Sequence, residues 1–253
     1  MVERPVALIT GGAKRVGRGI CEHLAARGFN VVVHANTSVR DAEILCEELR
    51  DTTDASAFSA AADLTNWNAT ASLVYQAMTL AGRVDLLVNN ASIFEDDSVT
   101  DLDEPGWDRH FAVHLKAPAL LAQEFSKALP GDRAGLIVNM IDERVWALNP
   151  RFFSYTLSKS ALWTATRTMA QALAPRIRVN AIGPGPTLPN ERQDRSAFDE
   201  QVAAVPLKRG PELCEIGEAV YFFWKAKSVT GQMLALDGGQ HLAWQTPDAT
   251  GQE

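Results

Sequence analysis

Along this chain, short unbroken apolar runs alternate with longer stretches whose apolar positions recur every three or four residues. The runs at 5–10, 30–35, 84–89, 135–141, 178–182 and 232–236 read as buried strands, and 57–63 as a weaker one. The periodic stretches at 15–27, 40–50, 67–81, 107–129 and 152–174 read as helices, the last two long. A Gly/Pro-rich segment follows residue 182. Strands alternating with helices predict an α/β fold, with a parallel sheet covered by helices on both faces. No Ser/Gly linker, internal repeat or low-complexity segment breaks the pattern. Residues 1–245 therefore read as a single domain and 246–253 as a loose tail. In such a sheet, ligands bind beyond the carboxyl ends of the strands, near the point where strand order reverses. Chemistry is to be sought just after each apolar run.

Composition narrows the function classes. A chain of 253 residues, 46% hydrophobic, can bury a sizeable core. A net charge of −7 argues against a general nucleic-acid binder but leaves room for a local basic pocket for a phosphorylated ligand. No run reaches membrane-spanning length, and the opening Met-Val-Glu-Arg-Pro lacks the marks of a signal peptide. Cys21, Cys46 and Cys214 fit neither a disulfide framework nor a zinc site, which predicts reduced thiols in a cytoplasmic protein without a metal.

The first strand is followed by Thr10-Gly-Gly-Ala-Lys-Arg-Val-Gly17. Glycines there allow a tight turn and close approach of backbone to a phosphate, and the helix start offers free N–H groups to that anion. A P-loop is excluded, because Arg18 and Gly19 stand where Lys and Ser/Thr are needed. After the second strand, Asn36, Thr37, Ser38 and Arg40 offer hydroxyls and a guanidinium where a carboxylate would hold an unphosphorylated ribose. They fit a 2′-phosphate, so NADP(H) is favoured over NAD(H). Thr37 and Ser38 could equally cap the next helix. After the fourth strand, Asn89-Asn90-Ala91-Ser92 can tie neighbouring strands and orient a ligand. After the fifth comes Asp142, and the next helix carries Tyr155 and Lys159 one turn apart on one face. A lysine cation near a phenol lowers its pKa from about 10, making tyrosine a usable general acid near neutral pH.

Taken in order, these motifs resemble the short-chain dehydrogenase/reductase family across nearly the whole chain. The carriers are the Thr10/Gly11/Gly17 turn, Asp63-Leu64, Asn89-Asn90-Ala91, Tyr155/Lys159, Asn180, Pro184-Gly185 and Asp237-Gly238-Gly239. The resemblance implies a Rossmann-type, doubly wound, seven-stranded sheet and a homotetramer or homodimer. It implies hydride transfer with a nicotinamide cofactor, with Tyr155 as proton donor and Lys159 on the nicotinamide ribose. Asp63 and Leu64 would sit at the adenine. Gly11, Lys14, Arg15, Val16 and Gly17 would hold the cofactor beyond the first strand, Asn90, Ala91 and Ser92 beyond the fourth, and Pro184 and Gly185 beyond the sixth.

Three departures resemble the pteridine reductase branch, which includes bacterial dihydromonapterin and dihydrofolate reductases of this fold. Arg15 replaces the family's usual Gly, Asp142 its usual Ser, and Ser92 the Gly of Asn-Ala-Gly. This branch implies an Asp142–Tyr155–Lys159 triad that protonates an imine nitrogen, and a substrate site of Arg15, Ser92, Phe94, Asp142, Tyr155 and Leu188. His114 stands where many members have an Asn of a proton relay. Residues 186–205 are expected to form the substrate lid. The expected activity is NADPH-dependent reduction of a pterin-type C=N bond. The alternatives are a carbonyl reductase or alcohol dehydrogenase of the same family, and an NADP(H)-binding protein without turnover.

Overall fold

The computed structural model describes residues 4–189 and 194–244. The expected tail at 246–253, and residues 190–193 of the expected lid, lie outside them. Seven strands form one sheet: β1 (Val6–Ile9), β2 (Asn30–Ala35), β3 (Ala57–Ala61), β4 (Leu86–Asn89), β5 (Gly135–Met140), β6 (Ile177–Pro184) and β7 (Met233–Leu236). Their order is β3-β2-β1-β4-β5-β6-β7, and every pairing is parallel. The weak third strand is real and pairs along its length with β2. The order reverses between β1 and β4, which opens a crevice at their carboxyl ends.

Burial on both faces explains the unbroken apolar runs. Ala7 and Ile9 turn to one face, where α1 (Arg15–Ala26), α2 (Val39–Thr52) and α8 (Leu213–Lys225) bring Ile20, Leu45 and Val220. Val6 and Leu8 turn to the other, against Leu73 of α3 (Trp67–Ala81), Leu121 of α5 (Ala117–Ala128) and Ala170 of α6 (Phe153–Leu173).

Two helical regions differ from expectation. The helix expected at 107–129 begins earlier, as α4 (Glu104–Phe111) capped by Asp103, and passes through a π turn at Ala112–Lys116 before α5. Pro118 cannot donate to the carbonyl one turn back, at His114, and its ring crowds that turn, so the helix widens there. The Gly/Pro-rich segment also hides two helices, α7 (Arg195–Ala204) within the expected lid, and α8. The second starts on a capping box in which Glu212 takes the place that Ser or Thr usually fills, and so gives no ordinary start signal.

Candidate active site

Three strand ends and helix α6 are stitched together at the crevice. Thr10 Oγ1 accepts the N–H groups of Asn90 (2.9 Å) and Ala91 (3.0 Å). Asn90 Nδ2 donates back to the carbonyls of Thr10 (2.9 Å) and Gly11 (3.0 Å). Asn89 Nδ2 donates to Asn139 Oδ1 (2.8 Å), and Asn139 Nδ2 to Thr166 Oγ1 of α6 (2.9 Å). The paired asparagines do tie neighbouring strands.

The turn after β1 is shaped for close approach. A Cβ on Gly17 would sit 2.1 Å from the Gly11 carbonyl oxygen, and Gly11 itself has φ +60°. Lys14 occupies the N-cap of α1 without a side-chain cap bond, so the helix start keeps its N–H groups. Lys14 is exposed and pairs with Asp41 at 3.0 Å, and Val16 packs on the core. Ser38 holds the N-cap of α2 but caps it with no side-chain bond, so helix capping does not consume its hydroxyl. Asn36 and Thr37 are exposed beside it, and Arg40 projects into solvent, 3.9 Å from Glu43. Asp63, just past β3, is exposed and accepts the N–H (2.9 Å) and hydroxyl (2.8 Å) of Thr65, while Leu64 is buried. At the end of β6, Pro184 and the following Gly185 are half-buried, and a Cβ on Gly185 would meet Asp237 Cα at 2.7 Å. These residues present a basic, glycine-lined cradle without an acid at the end of β2, which fits a phosphorylated dinucleotide.

The expected triad converges at the end of β5. Tyr155 Oη donates to Asp142 Oδ2 at 2.8 Å. Lys159 Nζ donates to the Met140 carbonyl at 2.8 Å and lies 5.7 Å from the Tyr155 ring centroid. One expectation is corrected. Burial and the neighbouring Asp142 carboxylate push the Tyr155 pKa well above its ordinary value, where the lysine was expected to lower it, and outweigh the Arg144 guanidinium, which pulls it down. Burial pushes the Lys159 pKa down to about 8. Tyr155 is thus held as a full phenol.

Sequence reasoning missed the residues that set this geometry. Arg144 Nη1 reaches both Asp142 oxygens, at 3.2 and 3.3 Å, and the Arg144 N–H donates to Oδ1 at 3.0 Å. The signal was available as Asp-x-Arg on one tight turn. Phe152, at φ +56°, stacks on Phe94 with centroids 4.1 Å apart, and Phe94 meets Tyr155 edge-on at 4.8 Å. Phe94 therefore belongs to an aromatic group over the acid rather than to the core. Arg15 has φ +52° and donates to the carbonyls of Pro189 (2.9 Å) and Leu188 (3.3 Å), so it clasps the start of the lid segment. Ser92 Oγ lies 3.0 Å from His114 Nε2.

Comparison with known proteins gives three findings. A family model described as short chain dehydrogenase matches residues 5–200. Among curated proteins, pteridine reductase 1 of Leishmania tarentolae is 32% identical over 279 residues, covering 94% of this chain and 96% of that protein. The 3-oxoacyl-[acyl-carrier-protein] reductase of Staphylococcus epidermidis is 31% identical over 242 residues, covering 93% and 98%. Among solved structures, the FolM alternative dihydrofolate reductase 1 of Brucella canis, complexed with NADP, has a TM-score of 0.94 at 57% identity, covering 98% of each chain. Its Brucella suis counterpart, also with NADP, has a TM-score of 0.94 at 58% identity, covering 98% and 99%.

Proposed function

The chain belongs to the short-chain dehydrogenase family, and from that premise we propose that it is an NADPH-dependent reductase of a pterin-type C=N bond, acting on a dihydropterin or dihydrofolate. The observation that carries this is the 2.8 Å hydrogen bond between Tyr155 and Asp142, at a position where the family usually has Ser. NADPH, when bound, supplies the hydride; the protein's own residues supply the proton and the geometry. Tyr155 remains a phenol because burial and Asp142 disfavour its anion, so a proton is available for ring nitrogen. Asp142 aims the hydroxyl, and Arg144 fixes Asp142. Phe94 offers an aromatic ring beside that acid for a flat, electron-poor heterobicycle. Ser92 and Arg15 provide polar contacts, with Leu188 at the rim.

The test is steady-state kinetics on dihydrobiopterin, dihydromonapterin and dihydrofolate beside simple ketones. Turnover of a dihydropterin is expected; ketone turnover without pterin binding favours the carbonyl-reductase alternative. Phe94→Ala is expected to raise the pterin KM by roughly tenfold, the worth of an aromatic contact, and to damage pterin reduction more than it damages folding, read from the melting temperature.

For the cofactor, Gly11, Lys14, Arg15 and Gly17 would hold the diphosphate, and Thr37, Ser38 and Arg40 the 2′-phosphate. Asp63 and Leu64 would flank the adenine, and Asn90, Ala91, Lys159, Pro184 and Gly185 the nicotinamide half. NADPH is expected to bind more tightly than NADH. Arg40→Ala should narrow the gap by weakening NADPH alone, because a charge-assisted phosphate contact is lost. Titration of both cofactors against both proteins checks this, and equal wild-type affinities would defeat it. No described helix is long and apolar enough to cross a membrane. A cytoplasmic homotetramer or homodimer is proposed, supported by exposed Phe222 and Leu234 on α8 and the edge strand β7.

A further inference from the structure

Two histidines that this mechanism leaves unused lie one helical turn apart, on either side of the start of the π turn. His110 and His114 are each 1% exposed. Two serines of α6, also one turn apart, face them: Ser154 Oγ lies 3.0 Å from His110 Nδ1, and Ser158 Oγ 2.8 Å from His114 Nδ1. Tyr155 stands between these rungs, its ring centroid 6.2 Å from His110 and 5.2 Å from His114.

The partners fix the tautomers. A backbone N–H can only donate, and Ile93 N–H points at His114 Nε2 (3.1 Å) and Glu95 N–H at His110 Nε2 (3.4 Å). Both Nε2 atoms are therefore bare. The Gly106 carbonyl can only accept, and it lies 2.9 Å from His110 Nδ1. Ser158 spends its proton on the Tyr155 carbonyl, at 2.7 Å, so it accepts from His114 Nδ1. Both rings are neutral Nδ1–H imidazoles with both nitrogens engaged. The far end of the same loop is held by Asp97, whose carboxylate accepts the Ser154 N–H and hydroxyl. The backbone N–H groups at 93 and 95 and the side chain of Asp97 are thus tied to the helices, around the segment that carries Ser92 and Phe94.

We propose that His110 and His114 are positioning residues that strap the substrate loop, residues 92–97, to the catalytic helix α6, so that pterin binding requires both imidazoles to be uncharged while cofactor binding does not. The proposal rests on the pterin-reductase reading. His114 has no nitrogen left to hold a relay water, so it acts as a strap and not as a proton conduit. Protonating either ring would set a donor against the Ile93 or Glu95 N–H and lose that tie. Burial holds both rings below the ordinary imidazole pKa. Lys159 and His110 bear on His114 in the same sense, as does Arg109 on His110, while Glu95 and Asp97 oppose it at His110. Tyr155, a neutral phenol, adds no charge between them.

The experiment compares His114→Leu with His114→Gln, and His110→Leu with His110→Gln, using NADPH and dihydrobiopterin. Glutamine can place an uncharged acceptor near the old Nε2; leucine cannot. The leucine variants should raise the dihydrobiopterin KM by roughly tenfold, one buried acceptor's worth, with the NADPH Kd within about twofold. The glutamine variants should restore most of that KM. They should also remove the rise in KM expected of the wild type on acidification well below the ordinary imidazole range of about pH 6.5, because burial keeps both rings neutral until then. Glutamine variants as impaired as leucine variants, or NADPH affinity falling in step with pterin affinity, overturn the proposal. Absence of dihydropterin turnover by the wild type would sink the function reading alone. The strap is then read from amide hydrogen exchange at Ile93 and Glu95, which should quicken with leucine and not with glutamine; unchanged exchange overturns it.

Discussion

Tyr155→Phe should retain NADPH binding and lose nearly all turnover, by roughly 10²–10⁴-fold, the usual worth of a positioned general acid. The change removes one oxygen from a ring that is 5% exposed and otherwise packed edge-on against Phe94 and His114. Phenylalanine keeps that packing, so the lost hydroxyl and not a collapsed site accounts for the effect. What it takes away is the proton that Asp142 aims and that burial keeps on the phenol. NADPH fluorescence titration and single-turnover oxidation, run on the same preparation, separate binding from chemistry. Wild-type turnover by the phenylalanine protein on its best substrate would remove Tyr155 from the mechanism.

Asp142→Ser should impair pterin reduction and also lower stability, the second effect coming from its neighbour. Arg144 reaches both carboxylate oxygens, and the side chains of the pair are only 16% and 14% exposed. Serine leaves that guanidinium without its counter-charge in a site where Nε already lacks a partner. Breaking one side of a buried ion pair costs about 3–5 kcal/mol. The double change Asp142→Ser with Arg144→Met should recover much of the melting temperature without recovering activity. Equal melting temperatures for the wild type and the single variant would show that the pair contributes nothing to folding. Pterin turnover unaffected by the serine would remove Asp142 from the proton path.

The central strands were legible because they are buried on both faces and therefore largely apolar, as in β1 and, Asn139 apart, β5. The triad was legible because Asp142, Tyr155 and Lys159 sit on one strand end and one helix face, where local spacing decides geometry. What sequence did not reveal depends on contacts across the chain. The π turn arises where Pro118 meets the turn ahead of it, inside a run whose periodicity still reads as one helix. The protonated state of Tyr155 depends first on burial and then on the nearby Asp142 carboxylate, which spacing along α6 does not tell. His110 looked like any helix residue until the loop at 92–97 folded over it.

Among the described non-glycine residues, only Arg15, Phe152 and Lys208 have positive φ, and the first two flank the site. Holding an L-residue there costs about 1–2 kcal/mol. Glycine would relieve that strain, and the entropy it adds to the unfolded chain takes back only about 0.5–1 kcal/mol. Arg15→Gly would forfeit the grip on the carbonyls of Leu188 and Pro189, and Phe152→Gly the ring that backs Phe94. Selection for heat resistance and selection for turnover therefore pull these two codons in opposite directions. A lineage that moved to a hotter habitat would be expected to recover its stability elsewhere in the chain and keep both costly residues.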